Sequence, residues 1–371
     1  MWRVFLRFDW LLFITTLLLL GMSLLALYSL STNGADYFFK QSIFVLLGII
    51  AMVFGATLDY RHIEKYSTTL YFITLFFLGF VLLFGTTVRG TAGWISFGVF
   101  QVQPVEIAKV TLIIFLASFI SKKKSELGEW TRVIASLVLS AAMIFLVLRQ
   151  PDLGSSMVLA AIWGGMILAS GLRAKHLIVL FFLATFLTVS AWFVLEDYQR
   201  DRINTFIHPE LDPQGSGYNV LQAIVAVGSG GLTGKGIGHG SQSQLNFLPE
   251  KHTDFIFAVI AEELGFVGSA FVLCVYAVLL YRIRSIGLMA SDNFGYLFAV
   301  GVLVMFLTQI IINIGMNIGV LPVTGLPAPL LSYGGSSLLS VLFSLGLLLS
   351  VYQRKRGAED FRISLEKTII E

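Results

Sequence analysis

Trp10-Leu11-Leu12-Phe13-Ile14-Thr15-Thr16-Leu17-Leu18-Leu19-Leu20-Gly21-Met22-Ser23-Leu24-Leu25-Ala26-Leu27-Tyr28-Ser29 carries no charge. It is about as long as the roughly 20 residues an α-helix needs to cross a bilayer. Ala26-Leu27-Tyr28-Ser29 loosely mimics a signal-peptide cleavage site, but an h-region is only roughly 7–15 residues long, so a retained transmembrane helix is expected. Working outward, comparable runs fall at about 41–58, 67–86, 104–120, 132–149, 153–171, 175–195, 254–281, 294–318 and 331–353. The chain therefore reads as an all-α, polytopic integral membrane protein of about ten spans. Residues 1–371 form a single membrane domain: seven spans within 1–195, a long loop over 196–253, three spans over 254–353 and a tail over 354–371.

Composition agrees. Of 371 residues, 56% are apolar and 13% charged, and the mean hydropathy of +0.84 exceeds what a water-soluble domain carries. The net charge is +3, and the basic residues sit in short clusters between apolar runs instead of one stripe, so nothing suggests nucleic-acid binding. A single cysteine, Cys274, excludes an intrachain disulfide and reads as a small buried hydrophobe.

An even number of spans puts both termini on one side, and the positive-inside rule makes that side the cytoplasm. Most of the 25 Lys and Arg residues then fall inside, including Arg61, Lys122-Lys123-Lys124, Arg282, Arg284 and Arg354-Lys355-Arg356. The outer loop Glu196 to Thr253 far exceeds the usual connection of roughly 4–6 residues, which favours a functional loop. A second outer segment, Gly85 to Gln103, holds Arg89 and Trp94, the latter suited to the headgroup level. A third, Leu321-Pro322-Val323-Thr324-Gly325-Leu326-Pro327-Ala328-Pro329, cannot be ordinary helix. Irregular backbone at that depth must be buried in protein or line a cavity.

Several residues suit chemistry. Glu106 and Lys109 share one face of a helix that starts near Pro104, as a functional intramembrane pair or a neutralising structural one. In His252-Thr253-Asp254, Thr253 or Asp254 has the plain role of capping the following helix, while an acid beside a long loop also suits a general base. Glu262-Glu263 needs partners, such as Lys109 or polar groups of neighbouring spans, and Asn313 and Asn317 suit interhelical contacts. Gly228-Ser229-Gly230-Gly231-Leu232-Thr233-Gly234-Lys235-Gly236 lacks Walker spacing and reads as a flexible turn, although its amides and Lys235 suit a diphosphate.

Taken together, the chain resembles the SEDS family, the shape, elongation, division and sporulation proteins. The resemblance rests on Gly93-Trp94-Ile95 with Gln103-Pro104-Val105-Glu106-Ile107-Ala108-Lys109, on Gln150-Pro151-Asp152-Leu153-Gly154, on the glycine-rich stretch, on Phe247-Leu248-Pro249-Glu250-Lys251-His252-Thr253-Asp254, on Glu262-Glu263-Leu264-Gly265, and on Ser332-Tyr333-Gly334-Gly335-Ser336. Within the family, His239 to Leu245 is more similar to the rod-elongation branch than to the division branch. Ser155 and Val105 stand where relatives often have Thr and Ser.

The resemblance implies a ten-helix peptidoglycan glycosyltransferase of the bacterial cytoplasmic membrane. Its active site would lie on the outer face, its substrates would be lipid II and nascent glycan, and its partner a class B penicillin-binding protein. Asp254 matches the family's essential loop aspartate, and Glu106 and Lys109 its important pair in the fourth span. Arg89, Trp94, Arg200, Arg202, Lys235, His252, Glu262 and Ser332 are the residues expected to bind substrate. No obligatory cofactor or protein metal site is expected, with a divalent cation at the diphosphate as an alternative to Lys109, Lys235, Arg200 or Arg202. A lipid II flippase, a non-catalytic scaffold and a division or sporulation paralogue are the rival readings.

Overall fold

In hydrocarbon a backbone amide finds no water, so each apolar run must satisfy its own N–H and C=O groups as helix. The computed structural model describes residues 8–31, 37–88, 91–97, 100–122, 129–172, 176, 178, 179, 182, 200, 204–208, 216–245 and 247–370. Helix α1 is Trp10–Leu30, capped by Asp9, whose carboxylate accepts from the Leu12 amide at 3.0 Å. Helices α2 Tyr37–Thr57, α3 Tyr60–Lys65 and α4 Ser67–Phe84 follow. A small antiparallel sheet comes next, β1 Thr86–Val88, β2 Thr91–Phe97 and β3 Phe100–Val102, in which Thr86 pairs with Trp94 and Ile95 with Val102. The remaining elements are α5 Pro104–Ser121, α6 Glu129–Arg149, α7 Leu153–Ala169, α8 Ser216–Ser229, α9 Ser241–Gln244, α10 Ile256–Leu288, α11 Asn293–Asn317 and α12 Gly335–Ile370.

Among the described residues eight helices are long and apolar enough to cross a membrane, counting Gly335–Arg354 of α12, and α7 is a shorter apolar helix. They coincide with nine of the ten expected spans, α10 running on past residue 281 to Leu288. The expected span at 175–195 lies almost wholly outside the described residues. Apolar periodicity did not announce the small sheet or the helices α3, α8 and α9.

The central helix is α5, whose Leu112, Ile113, Leu116 and Ala117 are fully buried. The two ends of the bundle around it differ chemically. One end is tied by ion pairs: Asp9 with Arg282 at 2.6 Å and Asp59 with Arg354 at 3.1 Å. There the Tyr60 hydroxyl also donates to Asp292 at 2.6 Å. The other end carries the sheet and two irregular segments, 247–255 and 318–334. Leu326, Ala328, Leu330 and Leu331 of the second segment are buried, as its prolines required. Its Pro329 carbonyl accepts from Tyr276, well inside α10, at 2.5 Å. Cys274 is corrected: it is exposed, because that face of α10 points outward from the bundle, towards lipid.

The glycine-rich stretch is corrected as well. Helix α10 breaks at Gly265, where φ is 66° and ψ −160°. A break strands carbonyls before it and amides after it. The Lys235 and Gly236 amides donate to the Glu262 and Glu263 carbonyls, each at 3.0 Å, while the Phe266 and Val267 amides donate to Gly231 and Leu232 carbonyls at 2.9 and 3.1 Å. The stretch is thus a backbone clasp on a broken helix, and those two amides are not available to a diphosphate. Gly234 has φ +82°, and a Cβ there would stand 2.1 Å from the Glu263 carbonyl oxygen. Gly234→Ala is therefore expected to lower the thermal midpoint of the detergent-solubilised protein by ~4 °C or more. Gly228→Ala, whose Cβ would meet nothing within 4 Å, should leave the midpoint unchanged.

Candidate functional site

The segment 250–255 is a tight turn in which the amides of Thr253, Asp254 and Phe255 converge on the Glu250 carbonyl at 3.1, 3.1 and 3.4 Å. The expected helix cap is not made. The N-cap of α10 is Phe255, without a side-chain cap, and the Thr253 hydroxyl turns back to the Glu250 carbonyl at 3.3 Å. Capping therefore does not explain why an acid stands at 254.

The turn is pinned from two sides. From α11, the side-chain amides of Asn313 and Asn317 each donate to the Asp254 carbonyl at 2.9 Å. Asn313 also donates to the Leu326 carbonyl at 2.8 Å, and Asn317 accepts from the Ala258 amide at 3.0 Å. From the segment before α12, the Ser332 hydroxyl donates to the Thr253 carbonyl and accepts from the Ala328 amide, and the Tyr333 amide donates to the His252 carbonyl at 2.9 Å. The His252 ring stacks on Tyr37 with centroids 4.2 Å apart. His252 and Ser332 thus belong to this site, where the visible role of Ser332 is to fix backbone. Asp254, half-buried, lies beside Gly325: a Cβ on that glycine would be 3.7 Å from the Asp254 Oδ2.

A second charged group stands nearby. Pro104 and Glu106 open α5, and one turn on, Lys109 donates to Glu106 Oε1 at 2.8 Å, with both side chains buried. Glu106 Oε2 is buried without a hydrogen-bond partner. A purely structural pair would be expected to satisfy both oxygens. Asp152 caps α7, its Oδ1 accepting from the Ser155 amide at 2.9 Å and its Oδ2 from Gln103 at 3.3 Å. Burial pushes the Asp152 carboxyl above the usual carboxylate range, opposed by the Ser155 hydrogen bonds and by Lys109, while Glu106 adds to the rise. The two groups meet through the 324–326 segment. A Cβ on Gly154, two residues past Asp152, would collide with the Leu326 side chain at 2.7 Å and the Thr324 carbonyl at 2.9 Å.

Asp152 and Gln103 were missed as site residues in the sequence, although both lie in quoted stretches. The available signal was an acid between two closely spaced apolar runs, a costly placement near a membrane unless it is used.

The other expected residues are placed as follows. Lys235 is engaged at 2.8 Å by Glu262, which also accepts from the Gln242 and Ser243 amides at 2.9 and 3.0 Å. Lys235 and Glu262 therefore lock the clasp to α9, and no hydrogen bond or ion pair described here links them to Asp254. Glu263 turns to Ser29 and Gln244, not to Lys109, because the break in α10 aims it at the end of α1. Burial pushes the Lys251 ammonium down, and it donates to the Ser243 carbonyl. Trp94 lies half-buried on β2, whose Gly93 faces Gln150. Arg200 is half-buried in a part of the chain of which few residues are described, and Arg89 and Arg202 lie outside the described residues. Among the described residues no three His, Cys, Asp or Glu side chains come together as a metal cage.

Residues 4–357 match the profile of the FtsW, RodA and SpoVE family, described as cell cycle proteins. Stage V sporulation protein E of Bacillus subtilis is 39% identical over 94% of this chain and 98% of its own length. Peptidoglycan glycosyltransferase MrdB of Escherichia coli K12 is 38% identical over 92% of each chain. Among solved structures, a chain of a peptidoglycan synthase complex that coordinates polymerization and crosslinking superposes with a TM-score of 0.80, at 30% identity over 94% of this chain and 98% of that one. The rod shape determining protein RodA of Thermus thermophilus gives 0.71 at 29% identity, over 94% and 97%. The fold, the site and these relatives agree: the chain belongs to the FtsW, RodA and SpoVE family, the SEDS family of multi-pass membrane proteins.

Proposed function

We propose that the protein is a peptidoglycan glycosyltransferase that polymerises lipid II in a bacterial membrane, working with a class B penicillin-binding protein that crosslinks the product. The names of its relatives support the reaction, and the synthase complex supports the partner. The single observation that carries the reading is the Asp254 turn. Its backbone is fixed by Asn313, Asn317 and Ser332, yet its carboxylate caps no helix and sits beside a glycine, at one end of the bundle near a second acid and base set.

In this reading Asp254 is the general base. It takes the proton from the acceptor sugar's 4-hydroxyl as that oxygen attacks the donor's anomeric carbon, and undecaprenyl diphosphate leaves with inversion. A diphosphate is already a good leaving group, so one carboxylate suffices where glycoside hydrolysis needs two. What remains is charge stabilisation, most effective from groups fixed in a low-dielectric site. Lys109, oriented by Glu106, is the cation placed for it. A divalent cation arriving with the diphosphate would be held by Asp152 and the unpartnered Glu106 Oε2, a donor set that fits magnesium's habit of taking one or two carboxylates plus phosphate oxygens, and would neutralise the leaving group. The distribution of Lys and Arg supports cytoplasmic termini, with Asp254 at the outer face. The His239 to Leu245 stretch supports a role in elongation. It contains the residues that hold Glu262 and Glu263, so its branch character falls on the clasp and not on the catalytic turn.

With purified lipid II and the cognate partner's transpeptidase blocked, wild type should give long glycan, and Asp254→Asn should lose ~100-fold or more of that rate without losing thermal stability. Full turnover by a folded Asp254→Asn would remove it from the mechanism, and lipid II transfer between leaflets without glycan would indicate a flippase. Asp152→Asn separates capping from charge, because Asn caps as well as Asp. It should keep the wild-type thermal midpoint and slow polymerisation by about tenfold or more, whereas an unchanged rate would leave Asp152 with the cap alone.

A further inference from the structure

At the end of the bundle opposite Asp254, where α5 ends, α6 begins and α7 ends, there is a cavity of about 100 Å³. Arg132 and Ser170 line it together with Ile120, Ile167, Gly171 and Leu172. A water needs roughly 10–15 Å³ of such space, so a phosphate-sized group fits.

Arg132 sets this cavity apart. Its Nε is buried without a hydrogen-bond partner, and among the described residues no carboxylate pairs with it. Two other arginines at this end have carboxylate partners among the described residues: Arg282 has Asp9 and Arg354 has Asp59. A buried donor left unsatisfied costs ~1–3 kcal/mol, more when charged. An oxyanion removes that cost, and a guanidinium's planar fork fits phosphate oxygens. The Ser170 hydroxyl already donates to the Ile167 carbonyl at 2.6 Å, so Arg132 is the side chain that would supply the hydrogen bond. The flanking sequence is net basic, with Lys122, Lys123, Lys124, Arg173 and Lys175 against Glu126 and Glu129.

The walls decide what kind of phosphate. Ile120, Ile167 and Leu172 offer a free inorganic ion nothing, whereas they suit the glycerol and first methylenes of a lipid. Trp130, 39% exposed and edge-on to His176 at 4.6 Å, marks headgroup level beside Arg132. Basic pockets between membrane helices favour anionic headgroups. We propose that this cavity binds the headgroup phosphate of an anionic phospholipid through Arg132. That the lipid belongs to the cytoplasmic leaflet rests on the orientation proposed above; the binding itself does not.

The test uses the delipidated full-length protein in neutral detergent, titrated with phosphatidylglycerol, phosphatidylcholine or inorganic phosphate. Retained lipid is counted by native mass spectrometry and protection by thermal unfolding. Wild type should retain phosphatidylglycerol about tenfold better than phosphatidylcholine, a difference of ~1.4 kcal/mol, with inorganic phosphate giving no protection. Arg132→Gln should lose that preference and melt no lower than lipid-free wild type, since it removes a buried Nε that has no hydrogen-bond partner. Arg149→Gln, at the exposed far end of the same helix, and Asp254→Asn should both bind lipid as wild type does, so the outcome is independent of the glycosyltransferase reading. Equal retention of the two lipids by wild type, or an unaltered preference in Arg132→Gln, overturns the proposal. Protection by inorganic phosphate equal to that by lipid overturns its lipid part.

Discussion

The satisfaction of backbone hydrogen bonds away from water is the constraint on which the rest of this structure depends. It turns each apolar run into helix, and it also governs the places where helix fails. At Gly265 two carbonyls and two amides are released, and the glycine-rich stretch returns a partner to each. At 318–334 the chain dips inward without helix, and its carbonyls find Asn313 and Tyr276. The Asp254 carbonyl, in a turn that no helix accommodates, receives two asparagine amides. Each departure from helix is matched by a specific polar partner, and these departures gather at the end of the bundle that holds the acids.

That gathering has a functional logic. A catalytic carboxylate needs a fixed position. Here the fixing is done through main-chain atoms of residues 252–254, by Tyr333, Ser332, Asn313 and Asn317. Where acids do hold the fold together, the arrangement differs. Glu262 spends its carboxylate on Lys235 and two amides, and Glu263 on Ser29 and Gln244. Glu106 falls between the two kinds, one oxygen on Lys109 and the other unpartnered.

The opposite end is organised by charge neutralisation, with Asp9, Asp59 and Asp292 each meeting an arginine or a tyrosine on another element. Against that pattern Arg132 stands out, because it lines a cavity, its Nε is buried without a hydrogen-bond partner and no carboxylate pairs with it among the described residues. Each end thus leaves one atom of a charged side chain buried without a hydrogen-bond partner, Glu106 Oε2 at one and Arg132 Nε at the other.

What the sequence by itself determined was the class of fold, nine of the ten expected apolar helices among the described residues, and the short stretches holding Asp254, Glu106 and Lys109. Those are properties of local composition: hydrocarbon admits helix wherever about twenty apolar residues follow one another, and charges are rare enough there to be noticed singly. Only the tertiary structure decided the partners. Glu262 and Lys235 lie 27 residues apart and form a pair, whereas Glu262 and the equally eligible Lys109 do not. Asp152 joined the site because the 324–326 segment, far away in the chain, crosses the start of α7. Cys274 faces outward although its neighbours are as apolar as any core. In each case the deciding quantity is which helix faces which, and in a membrane an apolar surface reads the same whether it meets lipid or another helix.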